Sequence, residues 1–361
     1  MMDGGHWPHG SCDGAGGSLV RLRRRASEFF DSLPVAELAS EAHRRLWISD
    51  WLRVAEDYRT LAEFARADRS GRIAHEAWMC AQTAIQVARS LSCQEDIADA
   101  DLADKLATGL KSFEDDAGLA IDRVEIDCFG QEVLAGFFVQ GGRRGPRAPV
   151  VICISDEHIT GSSMMGRLPP ALLRRNMSLL LIDPCNSSHR RSFKPEHVLQ
   201  CCLDYLEARP DIDQQRIAIY GEGAAAPHAS RLALTDGRIA AAVCDGGLLT
   251  QFMRRAPFRW MTGLEQSDQD GSSTGSMLPS RRLSCPLLVV VGSRSMVREH
   301  EALELRTFYR QAGADCSIVV PNCIPHPLGE VENFIAVDDF IFEWLDGKLG
   351  VGRQPDSLTY L

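Results

Sequence analysis

A chain of 361 residues, 45% hydrophobic and 24% charged, suffices for one large domain or a domain with an appendage. Its formal net charge of −10 argues against nonspecific binding to nucleic acid or an acidic membrane surface. No uninterrupted apolar stretch approaches the roughly 18–20 residues of a spanning helix, so no membrane partner is expected.

Residues 1–18 are rich in Gly, His and Asp and lack an apolar core. They read as a disordered leader rather than a signal peptide. Nothing directs the chain outward, so a cytoplasmic location is the expectation. There are twelve cysteines but no C-x-x-C pair. In a chain of this length they read as buried free thiols acting as small hydrophobes. The ligand spacing of a structural zinc site is absent, so neither metal nor cofactor is expected.

From 19 to 118 the pattern is helical. Leu46, Trp51, Val54, Tyr58 and Leu61 recur on one face, as do Ala77, Ala81, Ala84, Ile85 and Ala88. Ser70-Gly71 separates the two runs, and Leu102 to Phe113 suggests another helix. An all-helical N-terminal domain of four to six helices is expected, placed like a lid.

The character changes at Ile121. Ile121 to Asp127 and Glu132 to Val139 read as a hairpin. Pro149 to Ile154 and Ser178 to Ile182 are continuous apolar runs, as in strands buried on both faces. A crossover helix is expected over 168–175. Helix 195–208, strand 216–220, helix 223–234 and strand 239–244 follow. A loop-like insertion spans 246–284. Strand 286–292, helix 299–312, strand 316–321 and helix 333–347 complete the rhythm. The alternation predicts a mostly parallel eight-stranded α/β sheet with helices on both faces over 119–350, and a tail at 351–361.

At the centre stands Ile217-Ala218-Ile219-Tyr220-Gly221-Glu222-Gly223-Ala224-Ala225-Ala226. An apolar strand runs into glycines and then into an alanine-rich helix. Such a strand–turn–helix carries G-x-S-x-G in serine hydrolases. Here Gly223 stands at the serine position. Glycine adopts the strained apex without steric cost, but it has no hydroxyl.

The element order, this elbow, and the stretches Pro286 to Val297 and Ser317 to Trp344 together resemble the α/β-hydrolase fold. The helical N-terminal domain makes the chain similar to the FrsA-like group. That group includes the dihydroxypseudooxynicotine hydrolase type and the fungal polyketide-shortening pigment hydrolases. The resemblance implies a Ser–Asp–His triad at the top of the sheet. The serine falls on Gly223 and the aspartate on Ser295, so both are replaced. The histidine falls on His326 and is retained. Asp245, after strand 239–244, is the candidate replacement acid. The family's habit also suggests a homodimer.

The oxyanion hole depends on backbone N–H groups, so Ala224 and the loop Ser155-Asp156-Glu157-His158 can still supply it. Asp156, Glu157 and His158 also lie where ligands bind in open α/β sheets. Glu222 reads either as a base beside the elbow or as the partner of a neighbouring cation. Cys185 is a weaker nucleophile candidate, and His189 and His228 read as surface or helix-face residues. With His326 as acid/base group, the expected function is a non-serine enzyme acting on a small molecule. Candidate reactions are C–C cleavage, cyclisation, dehydration or water-mediated hydrolysis. The resemblance implies a polyketide-like or β-dicarbonyl substrate in specialised metabolism. The rival expectation is a catalytically inactive homologue that binds a small molecule or a partner protein.

Overall fold

The computed structural model describes residues 19–92, 121–128, 132–141, 147–155, 161–172, 175–182, 195–246, 283–293, 295, 298–311, 313–326, 329–350 and 358–360. The helix expected over Leu102 to Phe113, the bulk of the 246–284 insertion, Cys185 and His189 lie outside them.

Four helices open the described chain: α1 (Leu19–Asp31), α2 (Val35–Leu38), α3 (Glu41–Ala67) and α4 (Gly71–Ser90). In α1, Leu19, Leu22, Ala26, Phe29 and Phe30 are buried at helical spacing. Phe29 meets Trp47 and Trp51 of α3 edge-on, with ring centroids 5.8 and 5.5 Å apart. The turn at Ser70-Gly71 is made by Arg69, held at φ 57°, and by Ser70 N–H donating to the Ala65 carbonyl. Helix α4 is buried almost all round from Ala77 to Ala88, so it is an internal helix rather than a surface one.

The strands form a nine-stranded sheet in the order β1-β2-β4-β3-β5-β6-β7-β8-β11. They are β1 (Ile121–Cys128), β2 (Glu132–Val139), β3 (Ala148–Ile154), β4 (Ser178–Ile182), β5 (Ile212–Glu222), β6 (Ile239–Asp245), β7 (Leu287–Val290), β8 (Cys316–Val320) and β11 (Leu358–Tyr360). Only β2 pairs antiparallel with its neighbours β1 and β4. A separate hairpin joins β9 (Cys323–His326) to β10 (Gly329–Glu332). Five helices flank the sheet: α5 (Gly161–Ala171), α6 (Pro195–Glu207), α7 (Ala226–Thr235), α8 (Glu299–Gln311) and α9 (Phe334–Leu349).

Strand alternation sorts the core into two layers. Cys153, Leu181, Ala218, Tyr220, Val243 and Leu288 face α5, α9 and the N-terminal helices. Ile152, Leu180, Ile219, Ala242, Cys244 and Val289 face α6, α7 and α8. Helix α4 packs on α5, α1 on α9, and α2 on β9. The N-terminal helices therefore cover one face of the sheet and reach the hairpin that follows β8. Among the described residues, no helix is long and apolar enough to cross a membrane.

Four expectations are corrected. The crossover helix runs over Gly161–Ala171 rather than 168–175, because Pro169 and Pro170 lie in its last turn and end it. Strand β5 begins at Ile212, since its polar first half, Asp213 to Arg216, hides its strand character. The expected tail contains β11, which pairs in parallel with β8. The thiols are not all free. Cys128 and Cys201, with Cα atoms 5.5 Å apart, form a disulfide between β1 and α6. Their separation of 73 residues gave no hint of which cysteines the fold would bring together. Six of the remaining described cysteines are buried, and Cys323 is half-buried. Burial pushes the Cys202, Cys285 and Cys316 thiols up to about 12, consistent with packing residues.

Candidate functional site

The elbow is built as its sequence suggests. Glu222 ends β5 in extended backbone (φ −111°, ψ 140°), and Gly223 turns left-handed at φ 57°. A side chain at that φ would be strained, which is why glycine suits it. A short 3₁₀ turn spans Gly223–Ala225, and Ala226 N–H donates to the Gly223 carbonyl. Gly223 is half-buried and Ala224 exposed, so the apex is accessible.

Gly221 explains how tightly strand and helix meet. A Cβ there would lie 2.7 Å from the Ala229 Cβ, 2.9 Å from the Ala225 carbonyl oxygen and 2.9 Å from the Ala226 Cα. Two of these three are backbone atoms and cannot rotate away. Gly221→Ala is expected to cost about 1–3 kcal/mol, the range for overpacking a dense core. Chemical denaturation measures it, and an unchanged midpoint would show that α7 can shift freely.

The elbow lies at the topological switch point. From β3 the chain moves through α5 to β4, whereas from adjacent β5 it moves through α7 to β6. Ligand crevices form outside the carboxyl ends of such a strand pair. Ile154 of β3 pairs with Gly221, so Ser155 stands beside Glu222 at this end. Ser155 is buried, and its Oγ has no hydrogen-bond partner among the described residues.

In place of a free carboxylate beside the elbow, Glu222 is fully buried and ion-paired. The Arg167 Nη1 of α5 donates to Glu222 Oε1 at 2.5 Å, and its Nη2 donates to the Tyr220 hydroxyl at 2.6 Å. Arg167 Nε lies 3.1 Å from Asp338 Oδ2 of α9. Tyr220 in turn donates to Asp245 Oδ2 at 2.8 Å. Glu222 and Asp245 are register partners, so their side chains leave the sheet on one face. Burial alone would lower the Arg167 pKa. Asp338 and then Glu222 outweigh it and hold the guanidinium well above the ordinary arginine value.

The loop after β7 has its own buried carboxylate. Glu332 of β10 accepts from Ser293 N–H at 2.7 Å, and a Cβ on Gly292 would fall 2.0 Å from that same oxygen. The hairpin bearing His326 is thus tied to the loop bearing Ser295. Ser295 is half-buried and donates its N–H to the Gly292 carbonyl. His326 is the last residue of β9, and its side chain lies outside the described residues. Asp156, Glu157 and His158 also lie outside them. His228 sits half-buried on α7.

Sequence reasoning missed Arg167, Tyr220 and Asp338 as a group. Two signals were present. Tyr220 ends a buried apolar run, where its hydroxyl must find a partner. Asp338 interrupts the apolar stripe of α9 between Phe334 and Ile341. Arg167 carried no signal of its own.

No family model and no curated protein matches the chain. Among solved structures, the chain resembles 2,6-dihydroxy-pseudo-oxynicotine hydrolase at 16% identity. That alignment covers 92% of this chain and 97% of the other, with a TM-score of 0.56. An esterase of Pyrococcus furiosus aligns at 16% identity over 64% of this chain and 92% of its own, with a TM-score of 0.47. An acylaminoacyl peptidase of Pyrococcus horikoshii aligns at 11% identity over 65% and 43%, with a TM-score of 0.46. At the identity of the first, the likeness is one of architecture. The chain has the α/β-hydrolase fold, with a helical region at 19–90 ahead of the sheet.

Proposed function

We propose that the chain is an enzyme of this fold that works without a serine nucleophile, by acid/base chemistry on a β-dicarbonyl, polyketide-like small molecule. The observation that carries the reading is the elbow. It is accessible and left-handed at Gly223, yet it offers no hydroxyl. The exposed Ala224 N–H would hold a carbonyl oxygen as it gains negative charge. His326 would take a proton from water as hydroxide adds to that carbonyl. The C–C bond then breaks, and the leaving enolate recovers a proton from His326. The products are a carboxylic acid and a ketone. Glu222, held by Arg167, has no proton-transfer role in this scheme. The proposal includes a cytoplasmic homodimer that needs neither metal nor cofactor.

The test uses 1-phenyl-1,3-butanedione. Its enol absorbance should disappear with enzyme, with acid and ketone formed one for one. A fluorophosphonate probe, which reacts with activated serines, should leave the protein unlabelled. Stoichiometric labelling at one serine would overturn the proposal. Saturable diketone binding without turnover would instead favour a homologue that binds and does not react.

A further inference from the structure

We infer that Arg167 is the positioning residue of this site, acting on the elbow through Glu222; the inference rests on the reading that the site lies at Gly223. Three segments must hold their relative places for that site to exist. They are the turn at Gly223 and Ala224, the end of β3 at Ser155, and the hairpin that follows β8. One buried guanidinium touches a structural element next to each.

Arg167 belongs to α5, which begins six residues after Ser155. Its Nη1 holds Glu222, the residue immediately before Gly223, at 2.5 Å. Its Nε lies 3.1 Å from Asp338 in α9, the helix that follows the β9–β10 hairpin. Its Nη2 reaches Tyr220, two residues earlier in β5, and through that hydroxyl Asp245 at the end of β6. Arg167, Glu222, Tyr220, Asp245 and Asp338 are all buried, so water cannot substitute for any of these contacts. The planar guanidinium presents several donors in fixed directions, which a lysine ammonium on a flexible stem cannot reproduce. Arg167 touches no part of the proposed substrate position. Its influence runs through the backbone of Glu222 into Gly223 and Ala224.

The experiment follows the Ala226 amide, whose bond to the Gly223 carbonyl closes the elbow. Native-state hydrogen exchange is measured in the full chain for wild type, Arg167→Lys and Glu222→Gln. In Arg167→Lys the Ala226 amide should exchange at least tenfold faster, relative to the Ile217 and Ile219 amides in the middle of β5. Glu222→Gln should give the same pattern, and it carries the test if the lysine variant does not fold. The double variant should add little to either single change, because both break one contact. Equal acceleration at all three amides would reduce Arg167 to a general stability residue and overturn the inference, as would no change at Ala226. Diketone turnover provides a second reading, with kcat lowered about tenfold in Arg167→Lys and KM little changed. If wild type cleaves no diketone, the proposed reaction fails, while the exchange pattern still decides the role of Arg167.

Discussion

Glu222→Ala will lower the free energy of unfolding by about 3–5 kcal/mol, the usual cost of breaking one side of a buried ion pair. The substitution leaves Arg167 buried with Asp338 as its remaining direct carboxylate partner among the described residues. It also opens a cavity beneath the elbow. The magnitude comes from burial rather than distance. Arg59 and Glu56 on α3 are also 2.5 Å apart, but each is more than half exposed. Pairs of that kind contribute about 0–1 kcal/mol, so Glu56→Ala is the control. Urea unfolding measures both, with the slope checked for constancy so that the midpoints report stability. A loss below about 1 kcal/mol at Glu222 would mean that solvent or a rearranged Asp245 takes its place.

His326→Ala will lower turnover of the diketone by roughly 10²–10⁴-fold with the melting temperature unchanged, the range for a positioned proton-transfer group. The hairpin that carries it is short and is anchored from its far end. Glu332, opposite Cys323, is bonded to Ser293. Loss of one side chain at the His326 end should therefore leave the hairpin in place. Turnover equal to wild type would remove His326 from the site. Gly223→Ser provides the complementary control. It places a hydroxyl at the apex but, under the proposed function, supplies no carboxylate to orient His326, so no esterase activity is expected. Burst kinetics with an activated ester would show that the histidine is already oriented, and would point to Asp245 as the acid.

The parts legible in the sequence are those that local chemistry determines. Apolar runs such as Val150 to Ile154 and Leu179 to Ile182 read as strands buried on both faces, and they are. Gly223 announced a strained strand-to-helix apex, and the left-handed backbone is present there; the close approach at Gly221 emerges only from the fold. What could not be read is long-range pairing. Glu222 finds Arg167 55 residues earlier, in a helix expected from the sequence to begin only at 168. Asp338 is brought to the same guanidinium by the packing of α9 on α5. Periodicity marks which face of a helix is buried, but it does not say which charge waits on the other side.

Asn333 has a consequence for how the molecule comes apart. Its Oδ1 accepts from Ala336 N–H at 3.2 Å, capping α9. Its Nδ2 donates to the Ser27 hydroxyl at 2.9 Å and to Asp31 Oδ1 at 2.8 Å, both on α1. In the second turn of α9, at its sixth residue, Asp339 pairs with Arg23 of α1 at 2.8 Å. The first turn of α9 therefore cannot fray without releasing α1, and α1 cannot lift without uncapping α9. Local opening of one is thermodynamically an opening of both. Native-state hydrogen exchange should therefore show the amides of α1 and of the first turns of α9 opening with a common free energy, so that α1 does not lift from the sheet as a separate body.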